Sequence, residues 1–245
     1  MSLDAAVDAV LTAAGADAAE AFAQDVHVRE RRWANGELAE ERRRHESGLA
    51  VRVRRRGRIG LAAASGRFDV PDLMSRARTA AVVGPGYPSR FAGGTAAFVT
   101  PIDDEDRHPG PPDEAAVARL AARLRERHRD ISSTIAVIET RETRRIRTTE
   151  GVDEHDGRSF VMLRVTVSRS DNGEVLDLAF EAPCDMAGAT LDAALARLDD
   201  RLRWTGRTAT AGNRDLPVVL TPRALAALVV EPLGEALSGP ALVEG

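Results

Sequence analysis

The feature that most constrains this chain is a change of hydrophobic period that is written twice: helical spacing, then alternation, then helical spacing again. In the first round Ala5, Val7, Ala9, Val10, Leu11 and Ala14 recur at helical spacing, with Gly15 as a stop. From Ala19 to Ala64 the period becomes two, with Val26 and Val28 flanking His27, and Val51 and Val53 interleaved with Arg52 and Arg54. Turn signals at Asn35-Gly36, Ser47-Gly48 and Arg56-Gly57 predict a meander of antiparallel strands with one apolar and one arginine-rich face. A helix is predicted over 70–83, with Asp69 as its cap and Pro71 in its first turn.

The second round begins at Asp113, where Val117, Leu120, Ala121 and Leu124 share a helical face. The stretch SSTIAVIETRETRRIRTTEG then alternates, Asp156-Gly157 gives a hairpin signal, and strands are predicted over 158–169 and 174–182, joined through Asp171-Asn172-Gly173. A helix over 186–202 closes the round, with Leu191, Leu195, Leu198 and Leu202 in line. The expectation is an α+β fold of antiparallel sheets with flanking helices, filling residues 1–207. The Gly- and Pro-rich stretch 84–112 is an internal loop or linker. Residues 208–245, containing LPVVLTPRALAALVV, read as a buried strand and a helix from Pro222, the opening of a second domain.

Composition narrows the function classes. With 43% hydrophobic and 29% charged residues over 245 positions the chain can bury a core, and no apolar run approaches the roughly 20 residues that span a bilayer. No basic start leads into an apolar segment, so a secretory signal is not expected and the expected location is cytoplasmic. Cys184 stands alone and all 34 basic residues are arginine. A disulfide framework, a four-cysteine zinc site, a P-loop lysine and a lysine Schiff base are therefore excluded within the chain. A net charge of -4 argues against a dedicated nucleic-acid binder, although Arg29 to Arg58 form a basic block and Asp103, Asp104, Glu105 and Asp106 an acidic knot.

No local motif supplies a catalytic or metal centre. His45-Glu46 begins like a zinc-binding helix, but Leu49 and Ala50 stand where a second histidine would be, and strand alternation sends the two side chains to opposite faces. His155 in DEHDGR reads as part of a hydrophilic turn, the acidic knot with His108 as a solvated loop, and Cys184 as a small residue at a strand-to-helix joint. His27 and His128 are expected to face solvent or pack at an edge. Arg52, Arg54 and Arg56 are the candidate contacts for a peptide or partner. A nucleic-acid role for them lacks aromatic platforms, since only Trp33 and Phe68 flank this sheet, and Glu37, Glu40 and Glu41 are expected to pair with them.

Three stretches resemble the TldD/PmbA family, first called modulators of DNA gyrase and regarded as metallopeptidases. They are the run from Ala19 to Gly66 around GLAVRV with Gly48, Arg52, Gly57 and Gly60, the strand pair TIAVIETRETRRIRTTEG and FVMLRVTVS, and LPVVLTPRALAALVVEPLGEALSG. The resemblance implies a heterodimer of TldD-like and TldE-like (PmbA-like) subunits that degrades unfolded peptides and matures a peptide antibiotic. In that family the TldD side holds zinc through H-E-x-x-x-H, whereas this chain has no histidine beyond His155. The likeness is thus to the metal-free TldE-like subunit, shortened after its amino-terminal domain. It implies no catalytic residue, metal ligand or cofactor in this chain, zinc in a TldD-like partner, and peptide as substrate. The alternatives are a module that binds nucleic acid or an acidic partner through the arginine face, and a truncated fragment without function.

Overall fold

The computed structural model describes residues 3–14, 17–87, 90, 91, 93, 111–171, 174–183, 189–205 and 219–236. The chain divides into two compact units, Met1–Thr205 and Gly206–Gly245. The first unit contains, in order, α1 (Leu3–Ala14), β1 (Ala18–Ala34), β2 (Glu37–Arg55), β3 (Arg58–Ser65), α2 (Val70–Val83), α3 (Glu114–Arg127), β4 (Ile131–Thr148), β5 (Asp153–Asp171), β6 (Glu174–Pro183) and α4 (Ala189–Thr205). The α+β class and the repeated order of helix, strands and helix are as read from the sequence.

The two rounds share one sheet. Its order is β3-β2-β1-β4-β5-β6, every pairing antiparallel, and the first strands of the two rounds, β1 and β4, form the central seam. Two predicted turns are not turns. Ser47-Gly48 lies inside β2, where Gly48 pairs with Gln24 on one side and Ser65 on the other. Asp156-Gly157 lies inside β5, opposite Arg144 and Thr143. In both places a ladder outweighs a local turn preference. The chain reverses instead at Asn35-Gly36, at Arg56-Gly57 and at Gly151, where φ values of 50, 92, 52, 74 and 107 fall in the left-handed region.

Strand alternation sorts the two faces. On one face Ala19, Ala21, Ala23, Leu49, Val51 and Val53 are buried beneath Val7 and Val10 of α1 and Leu73, Met74 and Ala77 of α2. Further along the same face Trp33, Ile135, Val137, Leu163 and Val165 are buried beneath Leu120 and Leu124 of α3 and Leu195 and Leu198 of α4. Each such aliphatic side chain contributes about 1.5–3 kcal/mol by burial. Asp69 caps α2 and Asp113 caps α3, each accepting a hydrogen bond from a backbone N–H of the first turn. Arg78 of α2 donates to the Ala13 and Ala14 carbonyls at the end of α1, and Arg145 of β4 holds Asp4 of α1 at 3.0 Å.

One irregularity sets the register of the first meander. The β1–β2 ladder starts with Ala34 opposite Glu37 and Trp33 opposite Leu38, then skips Ala39, so that Arg32 faces Glu40. This bulge moves the whole of β2 by one residue, and since side chains alternate, it decides which residues share a face. It places Leu49, Val51 and Val53 opposite Ala23, Ala21 and Ala19, and His45 opposite His27.

In the second unit the described residues are α5 (Pro222–Leu225), a π-helical segment (Ala226–Val230) and α6 (Glu231–Ala236). Helix begins at Pro222 as expected. Of the predicted buried strand only Val219 and Leu220 are described, and both are exposed and outside any strand. The acidic knot, His108, Cys184 and the Asn172-Gly173 link lie outside the described residues. No described helix is long and apolar enough to cross a membrane.

Candidate functional site

Between the two helix layers no described helix of the first unit covers the sheet face. Along β1 this interval runs from Ala23 to Trp33, about 33 Å at the rise of a strand. Cross-strand neighbours form rows across it: Ser47, Asp25, Thr143 and Gly157; then His45, His27, Arg141 and Ser159; then Arg43, Arg29, Glu139 and Val161. The second and third rows lie under an open groove of about 680 Å³ that Pro111 also borders.

Arginines of the lining are paired with carboxylates across the strands. Arg29 donates to both carboxylate oxygens of Glu41 at 3.1 and 3.2 Å, and Glu41 also takes a hydrogen bond from Arg43 at 2.9 Å. The Arg29 and Arg43 bonds hold the Glu41 carboxyl below its ordinary range. Arg31 reaches Glu139 at 3.2 Å and lies over the Trp33 ring, 5.4 Å from its centroid.

His27 and His45 meet across the hairpin at the edge of this groove. Their rings are stacked, 4.1 Å between centroids and 10° from parallel. Both Nε2 atoms face the Asp25 carboxylate, His27 at 2.9 Å and His45 at 3.1 and 3.2 Å. His27 is exposed as expected, yet it stands on an interior strand of the sheet rather than at an edge. Glu46 lies on the other face from His45 and pairs with Arg44 at 3.0 Å, as alternation requires. Sequence reading missed this group, since eighteen positions separate the histidines. A hairpin drawn from Asn35-Gly36 without the bulge puts His45 opposite Val26, on the wrong face.

The three candidate arginines lie elsewhere. Arg52 and Arg54 project from the helix-free face, and Arg56 sits in the β2–β3 turn with φ 52. Arg52 makes two hydrogen bonds of 2.7 Å to the buried Glu20, which raise its pKa, and Phe91 covers its guanidinium at 5.4 Å. Arg54 pairs with Glu150 at 3.5 Å. The expected pairing of Glu37, Glu40 and Glu41 with these arginines does not occur, because those acids sit at the far end of the hairpin and Glu40 and Glu41 pair with Arg32 and Arg29. Trp33 and Phe68 belong to the two cores rather than to a stacking platform. His155 is an exposed strand residue of β5, and its neighbour Asp153 is held by Arg145 at 3.0 Å. His128 is half-buried against Asp199 at 2.9 Å, tying α3 to α4.

The helix-free face has its own buried carboxylate at Glu142, which receives hydrogen bonds from Gln24, Arg144 and Arg158, the last two at 2.7 Å. Burial pushes its pKa up, and the two arginines together outweigh that, leaving it below its ordinary value.

No protein-family model and no curated protein matches the sequence. Solved structures do share the fold. TldE from Thermococcus kodakarensis superposes with a TM-score of 0.67 at 13% identity, covering 81% of this chain and 47% of that one. Candidate modulators of DNA gyrase from Thermotoga maritima and Bacteroides thetaiotaomicron give TM-scores of 0.59 and 0.52, each at 12% identity and over 80% of this chain. They are covered over 47% and 48% of their own length. The chain therefore has the fold of TldE and of the gyrase-modulator proteins, and it spans about half the length of the solved proteins it matches.

Proposed function

We propose that this chain is the amino-terminal part of a TldE-like subunit, a component that itself does not cleave and that serves a TldD-like zinc peptidase by holding extended peptide. The observation that carries this reading is the fold likeness to TldE over 81% of the chain. The sequence adds that no H-E-x-x-x-H is present, since the five histidines are His27, His45, His108, His128 and His155. A broad peptidase is best served by a subunit that grips backbone rather than side chains. The sheet edge at β6 suits that role, because among the described residues no further strand pairs with it. At the opposite edge the Pro85 carbonyl and the Tyr87 N–H already bond to Ile59 and Gly57.

Co-expression with a TldD-type subunit tests the partnership. The reading expects the two chains to co-elute as one complex with zinc present in proportion to the partner. Separate elution of two folded chains would overturn it. Among the described residues the Arg52 and Arg54 charges are matched by Glu20 and Glu150, which favours this reading over nucleic-acid binding.

A further inference from the structure

We infer that Asp25, His27 and His45 form a binding site for a divalent transition-metal ion of the zinc type. The site is independent of the peptidase reading and its three residues belong to the first unit. Among the described residues these three are the one group whose imidazole nitrogens and carboxylate oxygens converge, all within 4.8 Å of one another. Two imidazoles and one carboxylate are a donor set for zinc, nickel or copper rather than for calcium or magnesium, which select oxygen.

The geometry fits. Donors about 2.1 Å from a tetrahedral ion stand about 3.4 Å apart, and the Nε2-to-carboxylate separations of 2.9 and 3.1 Å need only a few tenths of an ångström of opening. The side chains ride on neighbouring strands of a six-stranded sheet: β1 is held by ladders on both sides at Asp25 and His27, and β2 is held against β1 at His45. Three protein ligands leave coordination positions open, and these face the groove above Arg29, Arg43 and Arg141. Glu41 and Glu139 pair with Arg29, and Glu41 also with Arg43, which limits their repulsion of a cation. The same arginines suit the open positions to an anionic ligand such as a carboxylate.

The full chain, stripped of metal, is titrated with Co²⁺ followed by visible absorption and with Zn²⁺ followed by calorimetry. The expected result is saturable binding with one ion per chain, lost in His27→Ala and in His45→Ala and unchanged in His155→Ala. Both cluster histidines are more than half exposed, so the alanine variants are expected to keep the wild-type circular dichroism spectrum. If either does not, Zn²⁺-dependent shifts of the His27 and His45 ring resonances in the wild type supply the readout. No saturable binding by the wild type, binding that survives both alanine variants, or ring resonances that do not respond to Zn²⁺ would overturn the assignment.

Discussion

Replacing Gly60 by alanine drives α2 away from the sheet. A Cβ at this position of β3 would stand 2.0 Å from the Ala77 carbonyl oxygen, 2.3 Å from the Ala81 nitrogen and 2.9 Å from the Ala80 carbonyl carbon. All three are helix backbone, so no rotamer change relieves the clash. Restoring a contact of about 3.4 Å requires the helix to retreat by roughly 1.4 Å. Val70, Leu73 and Met74 on α2 are buried against the sheet, worth about 6 kcal/mol together. A gap of about 1 Å already forfeits about half of contact energy, so the variant should lose about 3 kcal/mol, the upper end of overpacking costs. In a domain of this size that lowers Tm by about 6–12 °C. Urea unfolding followed by circular dichroism measures it, with Gly86→Ala as the control, since a Cβ there meets nothing within 4 Å. A Gly60→Ala midpoint equal to wild type would refute the close packing of α2 on β3.

Strand pairing and a buried carboxylate set two further outcomes. Gly157→Ala should leave stability unchanged or raise it by up to about 1 kcal/mol, because Gly157 is a strand residue with open space at its Cβ; a clear loss in thermal melts would restore the hairpin turn that the sequence suggested. The Glu142 carboxyl is held below its ordinary value of 4.5 in the folded state, so its contribution is full above that pH and is lost as pH falls through the lowered value. Glu142→Gln should therefore flatten the acid-side decline of the urea midpoint, and an unchanged acid limb would show that Arg144 and Arg158 do not stabilise the ionised group.

Much of the fold was legible because its signals are local. The helix over 70–83 could be bounded from Asp69, Pro71 and the apolar spacing, and the Asn35-Gly36 and Arg56-Gly57 turns announce their positive φ values. Ser47-Gly48 and Asp156-Gly157 misled for a shared reason. Both lie within paired strands, Gly48 between β1 and β3 and Asp156-Gly157 against β4, and a ladder of hydrogen bonds outweighs a two-residue preference. The joining of both rounds into one sheet rests on β1–β4 pairs such as Phe22 with Ile146, which no short-range pattern records. The Asp25, His27 and His45 group was hidden more deeply, because its register depends on the single skipped residue Ala39, and nothing in the composition of the hairpin marks a bulge there.

The chain has the fold of TldE, and the role proposed for it is to assist cleavage without performing it. The direct measurement is hydrolysis of an unfolded peptide by the purified chain, by a TldD-type zinc subunit, and by the two mixed. The account predicts no turnover by this chain alone, with or without added zinc, and faster turnover by the mixture than by the zinc subunit alone. Peptide cleavage by the isolated chain, or a mixture no faster than the zinc subunit, would contradict it.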